Sequence, residues 1–101
     1  MKILPVDYTT EANRDYTELI KRVERKWGTQ SALKLHNQIK ASARHIGQNP
    51  QLFPISDANP RLRKCVVTPQ TILYYTVKPQ KVVITAVFDT RQNPATLLKR
   101  S

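Results

Sequence analysis

Residues 61–88 read RLRKCVV–TPQ–TILYYTV–KPQ–KVVITAVF, and this stretch decides the fold. Three runs rich in β-branched and aromatic residues, Arg61 to Val67, Thr71 to Val77 and Lys81 to Phe88, are parted by Thr68-Pro69-Gln70 and Lys78-Pro79-Gln80. Such side chains suit a pleated, half-buried surface, and proline cannot sit within a central ladder. Separators this short join neighbouring strands as hairpins, so the stretch is expected to form a three-stranded antiparallel meander.

Upstream the spacing changes from two to three and four. Tyr8, Ala12, Tyr16, Leu19, Ile20, Val23 and Trp27 define one helical face, with Asp7, Thr9 or Thr10 available as its N-cap. Glu18 and Arg22 stand four apart in the favourable order, and Lys21, Arg22, Arg25 and Lys26 suit the negative end of the helix dipole. Trp27 is expected to pack into the core at the helix end. Gly28 stops this helix, and Thr29 or Ser31 starts another whose face is Ala32, Leu35, Ile39, Ala43 and Ile46. So short a link predicts an antiparallel helical hairpin.

The remaining pieces are brief. Lys2 to Val6 reads as a first strand that joins the meander. Residues 48–60 form a proline- and asparagine-rich loop anchored by Leu52, Phe53 and Ile55, and Pro94 to Ser101 allows one helical turn. The order β-α-α-β-β-β predicts an α+β fold, a twisted antiparallel sheet packed on an N-terminal helical hairpin, with residues 1–101 as one domain. The sheet face away from the helices is expected to be partly open and to carry function.

The charge is +10, from 17 basic and 7 acidic residues, and it is unevenly placed. Residues 1–24 hold five acidic and four basic side chains, whereas residues 25–101 hold thirteen basic ones against Asp57 and Asp89. A field of that sign favours nucleic acid or an acidic protein as partner. No apolar run approaches the roughly 18–20 residues that span a bilayer, and Met1–Pro5 is too short for the apolar part of a signal peptide, so a cytoplasmic protein is expected. Cys65 is the only cysteine, which excludes an internal disulfide and suits a reducing compartment. It reads as a small buried hydrophobe, and no metal-binding cluster or cofactor site is visible.

Period two places Arg61, Arg63, Cys65 and Val67 on one face of their strand and Leu62, Lys64 and Val66 on the other. Arg91, just past the last strand, is expected to approach this basic strand and complete a concave cationic patch able to grip phosphate in bidentate fashion. Of Tyr74 and Tyr75, one faces the core and one the open face, where Tyr75 is the candidate stacking residue. His36 and His45, nine positions apart on one helix, fall on opposite faces and cannot form an acid/base pair. Candidate target-binding residues are therefore Arg61, Arg63, Lys64, Tyr75 and Arg91.

Several local signatures then align in order: the helix end Trp27-Gly28, the break Asn49-Pro50-Gln51-Leu52-Phe53-Pro54, and the strand Leu62-Arg63-Lys64-Cys65-Val66-Val67. Ile72-Leu73-Tyr74-Tyr75-Thr76-Val77 and Val87-Phe88-Asp89-Thr90-Arg91-Gln92-Asn93-Pro94 come after these. Over nearly its whole length the chain resembles the RelE/ParE toxin superfamily. The resemblance implies the toxin of a type II toxin–antitoxin module, neutralised by an acidic antitoxin that wraps the helices and the sheet. RelE-like members cut messenger RNA on the ribosome with basic residues of the sheet and often a C-terminal tyrosine or histidine, whereas ParE-like members poison DNA gyrase. Arg63 and Arg91 match the nuclease pattern and would be its catalytic residues here. Thr71 stands where RelE-like proteins often carry arginine, and the tail after Arg91 has neither tyrosine nor histidine. The balance favours a ParE-like gyrase inhibitor, with a ribosome-dependent endoribonuclease or a basic nucleic-acid-binding domain as the alternatives.

Overall fold

A computed structural model describes residues 3–101. Its elements are β1 (Val6–Tyr8), α1 (Thr10–Trp27), α2 (Thr29–Gln48), β2 (Arg63–Thr68), β3 (Thr71–Val77), β4 (Val82–Asp89) and a C-terminal 3-10 helix (Pro94–Lys99). The expected order and the helical hairpin are present. The first strand begins later than Lys2 to Val6, and Lys2 lies outside the described residues. Tyr8 belongs to the strand, because Thr9 is the cap that starts α1, its Oγ1 accepting the Ala12 N–H at 3.0 Å.

Gly28 serves both helices. Its N–H donates to the Glu24 carbonyl at 2.9 Å and its carbonyl accepts from Ala32 at 3.2 Å. The chain reverses through this one residue at φ +96°, a conformation open to glycine at little steric cost. At the other end of α2, Gly47 lets the chain before β1 approach closely, and the Leu4 N–H donates to the Gly47 carbonyl at 3.0 Å.

The sheet order is β1-β4-β3-β2. β2, β3 and β4 form the antiparallel meander, but β1 runs parallel to β4, with Val6 opposite Val82 and Tyr8 opposite Ile84. The expected antiparallel sheet is present, with β1 added to it as a parallel edge strand. The two helices return the chain so that β2 runs in the sense of β1, and two hairpin reversals bring β4 back to that sense.

Both sheet faces carry packed side chains, the outer one over part of its area. Toward the helices, Leu19, Leu35, Ile39 and Ile46 pack on Cys65, Leu73, Tyr75 and Ile84. On the opposite face Leu97 of the 3-10 helix is fully buried against Leu62, Tyr74, Ala86 and Phe88. The expected partly open face is covered by the chain's own C-terminus over Tyr74, Ala86 and Phe88, while Val66 of β2 remains exposed on it. Asn59 fixes it there, its amide donating to the carbonyls of Leu97 at 2.8 Å and Arg100 at 2.9 Å. Of the three anticipated loop anchors, Phe53 packs on the helix-side core, while Leu52 and Ile55 are exposed.

One irregularity in β4 sets the direction of the strand's last side chains. Tyr74 pairs with Ala86 and Tyr75 with Ile84, so Thr85 is an extra, bulged residue. Before it, Val82 and Ile84 face the helices; after it, Val87 does. The bulge reverses the alternation and turns Asp89 toward the helices, beneath α1.

Candidate partner-binding groove

Asp89 ends β4 with its side chain only 7% exposed. A buried carboxylate requires partners, and two arginines supply them. Arg22 of α1 donates to Oδ2 at 3.1 Å, and Arg91 grips the carboxylate in bidentate fashion, Nε to Oδ1 at 3.0 Å and Nη2 to Oδ2 at 2.8 Å. The Arg91 backbone N–H adds 2.9 Å to Oδ1. These donors, Arg91 above all, hold the Asp89 carboxyl below the ordinary carboxylate range against the opposing effect of burial.

Above this cluster opens a groove of about 500 Å³ between the helical hairpin and the β2–β3 turn. Leu19, Val23 and Leu35 supply apolar surface; Lys34, Gln38, Gln70 and Arg91 supply polar groups, and Trp27 stands at one end. Trp27 is 67% exposed, contrary to the expectation that it packs in the core. It is the last residue of α1, and its ring lines the groove that separates the helix end from Thr68, Thr71 and Asp89 of the sheet. Lys26 Nζ sits 5.4 Å from its ring centroid.

The expected cationic patch does not assemble. Arg63 lies opposite Tyr75 and Asp89 opposite Thr71, four residues away along β3, which is about 13 Å at the strand rise. Arg91 comes just past that far end. Arg63 donates instead to the Phe53 carbonyl at 2.7 Å and to Gln51 Oε1 at 3.0 Å. Tyr75 is fully buried and its hydroxyl donates to the Pro50 carbonyl at 2.7 Å. Burial pushes its pKa up to about 12. It is therefore not an outward stacking residue; with Arg63 it braces the loop after α2.

Tyr74 is buried too, edge-on to Phe88 at 5.7 Å beneath the C-terminal helix. Arg61 precedes the strand, so alternation does not apply to it, and its Nη2 reaches the Leu98 carbonyl at 3.0 Å. Lys64 is half-buried, with its N–H donating to the Pro54 carbonyl at 2.9 Å. Of the candidate residues, only Arg91 lines the groove. His36 is bound to the Tyr16 hydroxyl at 2.7 Å, while His45 is exposed at the end of α2. Among the described residues no three His, Cys, Asp or Glu side chains gather as a metal site, and no helix is long and apolar enough to cross a membrane. Asp89, Lys34 and Gln38 were not singled out by sequence; the bulge that aims Asp89 has no local signature.

The signature of the family described as ParE toxin of type II toxin–antitoxin system, parDE, matches residues 6–94. The chain belongs to the ParE toxin family. It is thus the toxin member of a type II toxin–antitoxin system, which implies a cognate antitoxin as partner. Among solved structures, this ParE-family fold is similar to a chain of the chromosomal ParDE system of P. aeruginosa, with a TM-score of 0.74 and 18% identity over 86% of this chain and 96% of that one. It is also similar to a conserved hypothetical protein of Helicobacter pylori, with a TM-score of 0.60 and 16% identity over 89% and 98% of the two chains. A copper-bound mutant toxin of the same organism gives 0.57 and 15% over 88% and 97%. No curated protein sequence matches. At these identities the likenesses concern the fold.

Proposed function

We propose that this ParE-family toxin acts by binding its target, DNA gyrase being the favoured one, and does not cut RNA. The observation that carries this reading is the separation of Arg63 from Arg91. A cleaving site needs a base, an acid and converging cations around one phosphate. Here the two arginines stand at opposite ends of β3, one committed to carbonyl oxygens and the other to Asp89.

The groove is the proposed seat of the antitoxin. Leu19, Val23 and Leu35 offer apolar contact, with Lys34 and Arg91 alongside. An acidic amphipathic segment fits that distribution, its apolar side chains on the floor and its carboxylates on the two cations. The net charge of +10 draws such a partner in.

A supercoiling assay with purified gyrase, relaxed plasmid and the purified toxin tests the reading. Loss of supercoiling at low stoichiometry, reversed by the acidic antitoxin, is the expected result. Undisturbed supercoiling by a folded toxin that still arrests growth would refute gyrase as the target.

A further inference from the structure

Opening off the groove is a smaller hollow of about 190 Å³, which shares Leu19, Val23, Trp27, Asp89 and Arg91 with it and adds Arg22 and Lys26. We propose that it is a binding site for single-stranded nucleic acid, with Trp27 as the stacking platform and Arg22, Lys26 and Arg91 as the phosphate contacts. The inference does not rest on gyrase being the target; because Trp27 and Arg91 also line the groove, an antitoxin seated there and a nucleic acid would compete for them.

Three observations carry it. Trp27 is the only tryptophan and is 67% exposed, so its ring offers a large planar surface with little of it used in the fold. Lys26 Nζ lies over the ring, 5.4 Å from its centroid, so a cation is held at one face of the indole and a base would stack on the other. Asp89 fixes both guanidinium groups, taking one donor of Arg22 and the Nε and Nη2 of Arg91. The remaining donors of each fork are left for a ligand. Three basic side chains and one carboxylate line the hollow, with Glu18 next to Arg22 on its outer side.

Pre-positioned guanidinium forks suit phosphate oxygens. The exposed ring distinguishes among anions: a base released from stacking covers an indole face, whereas a duplex keeps its bases paired and an acidic peptide brings carboxylates without a flat partner for the ring. Single-stranded nucleic acid satisfies both halves of the site.

The single tryptophan makes the test direct. Titrating the intact protein with a fifteen-nucleotide oligothymidylate should quench Trp27 fluorescence. Affinity should fall with salt at a log–log slope of about −2, as expected for three phosphate contacts on a single strand. Arg22→Ala and Lys26→Ala should each weaken binding several-fold. Lys78→Ala, the same charge change at the far β3–β4 turn, should leave it unaltered. Followed by anisotropy of a labelled oligonucleotide, Trp27→Ala should lose about tenfold and Trp27→Phe should regain most of it. Absence of quenching at low salt overturns the proposal, as does equal weakening by Lys78→Ala. Equal binding of a duplex of the same length, or of polyglutamate, would also overturn it, the latter pointing to an acidic protein at this surface.

Discussion

Asp15 on α1 and Arg100 near the C-terminus, 85 positions apart in sequence, meet at 2.8 Å across the bulge in β4. Each also serves a backbone group there. Asp15 accepts the Val87 N–H at 3.1 Å, and Arg100 donates to the Thr85 carbonyl at 2.7 Å. A bulge leaves ladder groups without their usual partners, and buried backbone groups must be satisfied. The ion pair stabilises the irregularity that turns Asp89 toward the helices, so tail, bulge and groove form one linked arrangement.

Removing either member of that pair should loosen the tail. Arg100→Ala is expected to destabilise the fold by about 1.5–3 kcal/mol, the range for hydrogen bonds to charged groups. Leu97→Ala should cost about 2–4 kcal/mol, because it empties the core between the 3-10 helix and the sheet. Urea unfolding measures both, and faster amide exchange in β4 should accompany the loss in Arg100→Ala.

Asp89 gives a pH signature. Its pKa is lowered in the folded protein, so its contribution to stability is complete above the unfolded carboxylate pKa, near ~4. That contribution is lost as pH falls through the depressed folded value. D89N should therefore be less stable than the parent by about 1–3 kcal/mol at pH 7. The difference should shrink as pH falls below ~4, on the same linkage. A difference independent of pH in urea titrations from pH 7 to pH 2 would contradict the clamp.

The two glycines should respond to alanine for different reasons. At Gly47 a Cβ would lie 2.7 Å from the Leu4 carbonyl oxygen, so Gly47→Ala should displace the chain before β1 and destabilise by about 1–3 kcal/mol. Gly28→Ala meets no neighbour within 4 Å and suffers only from its backbone angles, φ +96° and ψ 171°, a nearly glycine-only region with a strain of about 1–3 kcal/mol. Amide exchange should rise at Leu4 and β1 in the first variant and not in the second.

Tyr75→Phe removes one hydrogen bond from a buried ring, so a loss of about 1 kcal/mol is expected. Growth arrest should persist at expression levels that keep the protein folded. Loss of toxicity with stability unchanged would return Tyr75 to the target-binding surface. In the parent, alkaline absorbance titration should show Tyr16 and Tyr75 ionising only near pH 12, Tyr16 also being raised by burial.

The regular elements are legible because their periods are. Ala12, Leu19, Leu35, Ile39 and Ile46 all reach the helix-side core, and β3 and β4 lie almost where their β-branched runs place them. Thr85 is different. It stands in a uniform run from Val82 to Phe88 with no glycine or proline to mark an extra residue, so counting from Val82 gives the wrong face for Asp89. Arg61 misleads because alternation begins only at Arg63. Tyr75 is buried against the helices as alternation allows, but Tyr74 is buried too because Leu97 covers it on the outer face, a contact between distant segments that no local pattern announces. The cationic patch fails for a different reason: the pairing register along β3 sets Arg63 opposite Tyr75 and Asp89 opposite Thr71, which keeps Arg63 and Arg91 apart.

The central claim is that this toxin binds its target and does not cut RNA, and mapping messenger RNA ends in a cell-free translation reaction tests it most directly. With purified toxin at a concentration that blocks supercoiling, the message should remain intact. Codon-phased cuts that require ribosomes, and that Arg91→Ala abolishes while leaving the fold intact, would contradict the claim and restore Arg63 and Arg91 as catalytic residues.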